Sequence, residues 1–173
     1  EAGRLLNVDY VVSGSTRVRG TRLTVTVELV ETRSARIVWA EIFNLTFDDT
    51  FAILDEIGNR IVASIAGEIE TLERNRAILK PPSSLDAWGA HHRGLWHMYQ
   101  LRRADNEHAR HFFEMALRLD PTFSRAYAGL SFTHFQDAFQ NWSDRAAGTE
   151  QAYRAAAQGL MADGRDPAAH WAM

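Results

Sequence analysis

His108-x-x-His111 is the pair in this sequence whose type and spacing could hold a metal ion: residues three apart share a helical face, and imidazole is a good zinc ligand. The pair is incomplete. No carboxylate completes an H-E-x-x-H arrangement, Arg110 stands between the two rings, and Glu107 and Glu114 flank the pair without joining it. His91 and His92 are adjacent and would point about 100° apart on a helix, which makes them poor co-ligands. Asp48, Asp49, Asp55 and Glu56 gather at the start of a helical pattern, where the helix dipole favours negative charge without any catalytic purpose. There is no phosphate loop of the G-x-x-x-x-G-K type, no dinucleotide fingerprint and no nucleophile elbow, and Gly14-Ser15-Thr16 lacks phosphate-loop flanks. Asn44-Leu45-Thr46 and Asn141-Trp142-Ser143 match the glycosylation triplet without a secretory context. No catalytic residue, metal or cofactor is therefore expected, and the chain is expected not to be an enzyme.

Composition points the same way. With 46% hydrophobic residues and a net charge of −3, the 173 residues can build one or two cores. Nineteen Lys plus Arg against 22 Asp plus Glu supply no cationic field for nucleic acid, and no apolar run is long enough to cross a bilayer. Cysteine is absent, which excludes disulfides and thiolate chemistry and fits a reducing, cytoplasmic setting. The first residues have neither an initiator Met nor a signal-peptide profile, as expected of a segment of a longer protein that enters a strand within a few residues.

The elements that would position any site change period along the chain. Leu23, Val25, Val27 and Leu29 alternate with Thr24, Thr26 and Glu28 as a half-buried strand does; similar runs on either side, with a reversal at Gly20, predict a three-stranded antiparallel meander. Leu54, Ile57, Ile61, Ile65, Ile69 and Leu72 then recur at helical spacing. They predict one long helix over Thr50–Leu79 that covers the meander, capped by Asp48, Asp49 or Thr50, with Glu56, Arg60, Glu68, Glu70, Glu73 and Arg74 on a solvated face. Residues 80–84, Lys-Pro-Pro-Ser-Ser, read as the linker between a domain at 1–79 and a second at 85–173, with the serines able to cap the next helix. Helices are predicted over 85–102, 106–119, 123–140 and 149–161, with another starting at Pro167.

Ala109-x-x-x-Phe113-x-x-Ala116-x-x-x-x-Pro121 has the small, aromatic, small and proline offsets of the second helix of a tetratricopeptide repeat. Small residues let antiparallel helices approach, the aromatic fills their seam, and proline ends the helix. Tyr127 and Leu130, then Ala152 and Ala156, fit a second repeat, with Trp171 at the aromatic position of a third. The fold class expected is thus α+β: a meander on a long helix, followed by an α-solenoid of about two repeats plus the start of a third. In such a stack the first helices would line a concave face with Trp88, His91, Leu95, Met98, Tyr99, Arg125, Phe132, Phe135 and Gln136. That candidate partner groove is aromatic rather than basic, suited to a peptide or helix with apolar anchors, unless half of these residues pack the core instead.

Residues 8–30, then Ile37-Val38-Trp39-Ala40-Glu41, resemble the TolB-like amino-terminal domain of bacterial signalling proteins. Residues 80–88, Arg93-Gly94-Leu95-Trp96-His97 and Ala126-Tyr127-Ala128-Gly129-Leu130 are similar to the repeat region that follows it. The resemblance implies a non-catalytic regulatory module, attached to a class III adenylate or guanylate cyclase or, alternatively, to a winged-helix regulator. A small-molecule-sensing role is a further alternative. It also implies an additional strand and helix before Glu1, whose absence would leave a sheet edge open to pairing, so the expected partner is a protein or peptide, including a second copy in a homodimer.

Overall fold

Strand β2 (Arg22–Glu31) forms because its alternate residues can be buried together: Leu23, Val27 and Leu29 lie on one face and are all buried. β1 (Tyr10–Arg19) and β3 (Arg36–Thr46) pair with it on either side in an antiparallel sheet of order β1-β2-β3, the expected meander. The β1–β2 reversal uses Gly20 at φ +61°, where a side chain would be strained. Val25 faces Phe43 and Val27 faces Glu41 across the β2–β3 ladder, and a bulge at Leu29/Val30 shifts the register. The computed structural model describes residues 2–46 and 50–173, with the side chains at positions 2, 4, 50–54 and 56 outside that description. The proposed caps Asp48, Asp49 and Thr50, and the Leu54 and Glu56 side chains, therefore lie outside the described residues. A short helix α1 (Ala2–Leu6) precedes the sheet, where direct entry into a strand was expected.

The long helix α2 (Thr50–Leu79) forms as its periodicity predicts. Ile57 and Ile61 pack on Val27 and Phe43, with Val25, Trp39 and Leu45 around them, so this end of the helix covers the sheet. Arg60 lies 5.1 Å over the Phe43 ring and 3.4 Å from the Glu41 carboxylate. The chain divides into two compact units, Glu1–Thr71 and Leu72–Met173, a division inside α2 and ahead of the 80–84 linker. Within the second unit Ala77 is buried, and Arg93 donates to the carbonyls of Ala77 and Lys80 at 3.1 and 2.8 Å. The charged face expected to be solvated is therefore partly enclosed: Glu73 pairs with Arg76, and Arg74 lies 5.2 Å over the Tyr99 ring.

After one 3-10 turn at Pro82–Ser84 come α3 (Ala87–Met98), α4 (Arg103–Leu119), α5 (Ser124–Phe139), α6 (Arg145–Ala162) and α7 (Pro167–Ala172). The cap of α3 is Asp86, which accepts from Gly89 N at 2.6 Å; the Ser84 hydroxyl donates instead to the Pro81 carbonyl at 2.9 Å. α3 packs on α4, α4 on α5, α5 on α6, and α7 on both α5 and α6. Two helix boundaries move from their predicted places. Leu101 at φ +53° closes α3 early, so α4 starts three residues before Asn106; Asp144 accepts from Ala147 N and starts α6 well before residue 149. Asn106, expected at a helix start, is instead a buried interior residue donating to the Thr133 carbonyl at 2.9 Å and to Asp137 at 2.7 Å.

Asp137 also pairs with Arg110, so one carboxylate on α5 ties two groups of α4. Asp137→Ala leaves a buried amide short of a partner and a guanidinium unpaired, and should cost about 1–3 kcal/mol. Urea unfolding followed by circular dichroism measures it; an unchanged midpoint would mean that the network adds nothing.

Candidate functional site

Residues 132, 135 and 139 sit one turn apart on α5, a spacing that stacks their side chains along one face. Ring centroids separate by 5.9 Å from Phe132 to Phe135 and 5.6 Å from Phe135 to Phe139, and Trp171 of α7 extends the ladder from Phe132 at 5.8 Å. Phe135, Phe139 and Trp171 are 50, 66 and 72% exposed. Such aromatic surface, held in a row by a rigid helix, is the usual mark of an interaction site. Beside it a concavity of about 390 Å³ is lined by Phe132, Phe135, Ala152, Tyr153, Trp171 and Met173, with Ser131 and Thr149 adding hydroxyls.

Of the nine residues expected to line one groove, Phe132 and Phe135 belong to this surface. Leu95, Met98 and Phe132 pack together around Phe113, and Met98 is buried. Trp88 is partly exposed and lies against His92 and Phe123, at ring centroids 4.4 and 6.1 Å away. His91, 5% exposed, lies beside the same Phe123 ring. Tyr99 is exposed beneath Arg74, and Arg125 reaches Asp166 at 3.5 Å. Gln136 is buried, its Oε1 without a hydrogen-bond partner among the described residues. Buried residues cannot present themselves to a partner, so the accessible members are Trp88, Tyr99 and Phe135, with Leu95, Arg125 and Phe132 half-covered. Phe139 and Tyr153 were not anticipated; the 132/135/139 spacing carried the signal for the first, whereas Tyr153 comes from another helix.

His91 and His92 are buried as neutral imidazoles. Burial first, then the charges of His92 and Arg125, lowers His91 from 6.5 to about 3; burial, then Arg74 and Arg125, lowers His92 to about 4. His108 lies beside His97 at the end of α3, ring centroids 5.1 Å apart, and the His97 Nδ1 is 3.0 Å from Asp105 Oδ1. Asp105 is held below the usual carboxylate range chiefly by that hydrogen bond, with Arg102 adding to it. In the sheet unit a broader, more polar hollow of about 890 Å³ lies between Gly3, Asp9, Val30 and Arg33, the Arg33–Asp9 pair at 3.0 Å being part of its lining. Among the described residues no helix is long and apolar enough to cross a membrane.

No family model matches the chain. A protein of Rhizobium meliloti (strain 1021) bearing the name "Putative adenylate cyclase 3" is 24% identical to it over 174 residues. That similarity takes in 100% of this chain and 30% of the other protein, so the chain spans under a third of the relative's length.

Proposed function

We propose that this chain is a non-catalytic regulatory and protein-interaction region of a cyclase-like signalling protein, a TolB-like domain followed by tetratricopeptide-type helical pairs. The observation that carries the reading is the aromatic ladder of Phe132, Phe135, Phe139 and Trp171 on the packed helices α5 and α7, its last three rings exposed. Two further features support it: the close helix packing around Phe113, and the distant similarity to a protein named for adenylate cyclase activity. The partner is a peptide or helix with apolar anchors, and the region acts in a bacterial cytoplasm. A small-molecule-sensing reading is favoured by one observation, the pocket beside the ladder, whose volume of about 390 Å³ falls within the range of ligand sites.

The test is cyclic-nucleotide production by the isolated chain and by the longer protein that contains it. The isolated chain should show no turnover with ATP or GTP. In the longer protein Phe135→Ala with Trp171→Ala should shift turnover severalfold at unchanged melting temperature, because both rings are largely exposed and contribute little to folding. Turnover by the isolated chain would overturn the non-catalytic reading. A longer protein without turnover, or one indifferent to the double substitution, would overturn the regulatory one.

A further inference from the structure

The α3–α4 hairpin brings His97 to two groups of α4 to which no sequence spacing connects it. His97 comes from the last turn of α3, while Asp105 and His108 lie three apart on the first turns of α4. One ligand-type atom from each lies within 4.8 Å of the other two. We propose that His97, Asp105 and His108 form a three-ligand site for a borderline transition-metal ion, with Zn²⁺ the best match, that clamps the hairpin and leaves a fourth position open.

The chemistry of the donor set selects the ion. Two imidazoles with one carboxylate suit Zn²⁺, Co²⁺ or Ni²⁺ and are a poor set for Mg²⁺ or Ca²⁺, which take oxygen. The spacing suits it as well. Two ligands about 2.0–2.1 Å from a tetrahedral ion stand about 3.3 Å apart, and His97 Nδ1 and Asp105 Oδ1 already stand 3.0 Å apart. An ion entering there replaces one hydrogen bond and needs only a small opening, with His108 swinging in from the exposed side.

The surroundings hold the first two ligands in place. The His97 ring lies parallel to Phe112, with an interplanar angle of 8° and centroids 5.6 Å apart, and Trp96 abuts it edge-on at 4.8 Å. Arg102 takes the other Asp105 oxygen at 2.8 Å, which orients the carboxylate as outer-shell partners of metal ligands do. The guanidinium also offsets the carboxylate charge, so the affinity expected is micromolar rather than nanomolar.

The experiment is calorimetric titration of the chelator-treated chain with ZnCl₂, and with CoCl₂ followed by visible absorption. One ion per chain should bind, with a dissociation constant in the micromolar range, a tetrahedral cobalt spectrum and a raised melting temperature. His108→Ala, at an exposed position, should fold normally and lose about tenfold or more in affinity, and Asp105→Asn should lose a comparable factor. His111→Ala, one turn further along α4 and also exposed, should bind as the unsubstituted chain does. No saturable binding below about 100 μM, a constant equivalent to only about 5.5 kcal/mol, would leave His97 and Asp105 as a hydrogen-bonded pair and overturn the proposal. Binding insensitive to His108→Ala, or weakened equally by His111→Ala, would overturn it too, by moving the ion elsewhere.

Discussion

Phe113→Ala should destabilise the helical unit by about 3–5 kcal/mol, a large share of what a domain of this size possesses. Its ring is fully buried between α3 and α5, against Gly94 on one and Gly129 on the other. A Cβ at Gly94 would stand 2.7 Å from the ring, and one at Gly129 would stand 2.5 Å from it. Both glycines are thus needed because the ring leaves no room for a methyl group, and neither has a positive φ to explain it. Gly129→Ala should itself cost about 1–3 kcal/mol by overpacking. Combining Gly129→Ala with Phe113→Leu should cost less than the two single changes added together, since the smaller side chain vacates the space the methyl enters. Chemical unfolding of the four proteins measures this; strictly additive losses would mean that ring and glycine do not share one packed seam.

Acid should unfold the same unit through His91 and His92. Their rings are 5% and 1% exposed, and neither nitrogen of His92 nor the Nδ1 of His91 has a hydrogen-bond partner among the described residues. Folded-state values of about 3 and about 4 lie below the ordinary 6.5, so between those limits the unfolded chain binds protons that the folded chain refuses. Stability is therefore complete above pH 6.5. It falls by about 1.4 kcal/mol per pH unit for each imidazole as the pH drops further, until His92 protonates in place near pH 4 and His91 near pH 3. Urea midpoints at pH 7.0, 5.5 and 4.5 should decline steeply for the unsubstituted chain and much less for His91→Leu with His92→Phe. Keeping the comparison above about pH 4.5 separates the effect from ordinary carboxylates. Parallel declines in the two proteins would show that the imidazoles are not the cause.

Much of the fold was legible because it rests on periodicity. Leu23, Val27 and Leu29 announce a one-sided strand, and Ile57 and Ile61 announce the helix that meets it, since a period of two or 3.6 already states which side faces a core. Phe113 between Ala109 and Ala116 was legible as a seam for the same reason. Termini were less so: Asn106 has the residue type of a helix start yet serves as a buried donor to α5, and Asp86 rather than a serine caps α3. Exposure of the candidate groove residues was legible only in part. Counting by helical offset selects a face but not its depth, so His91, Met98 and Gln136 fell among the chosen residues although α4 and its neighbours bury them.

Sequence by itself determined the order of the strands and long helices from β1 onward, the sheet face that is buried and the aromatic seam of the helices, because each follows from interactions within one element or between chain neighbours. Tertiary structure alone decided which titratable groups meet. His108 shares a helical face with His111, but the turn of the hairpin sets it beside His97 and Asp105; Trp171 joins Phe132 although α6 separates α5 from α7 in the chain. Packing of distant helices sets those distances, and no local pattern of residues encodes them.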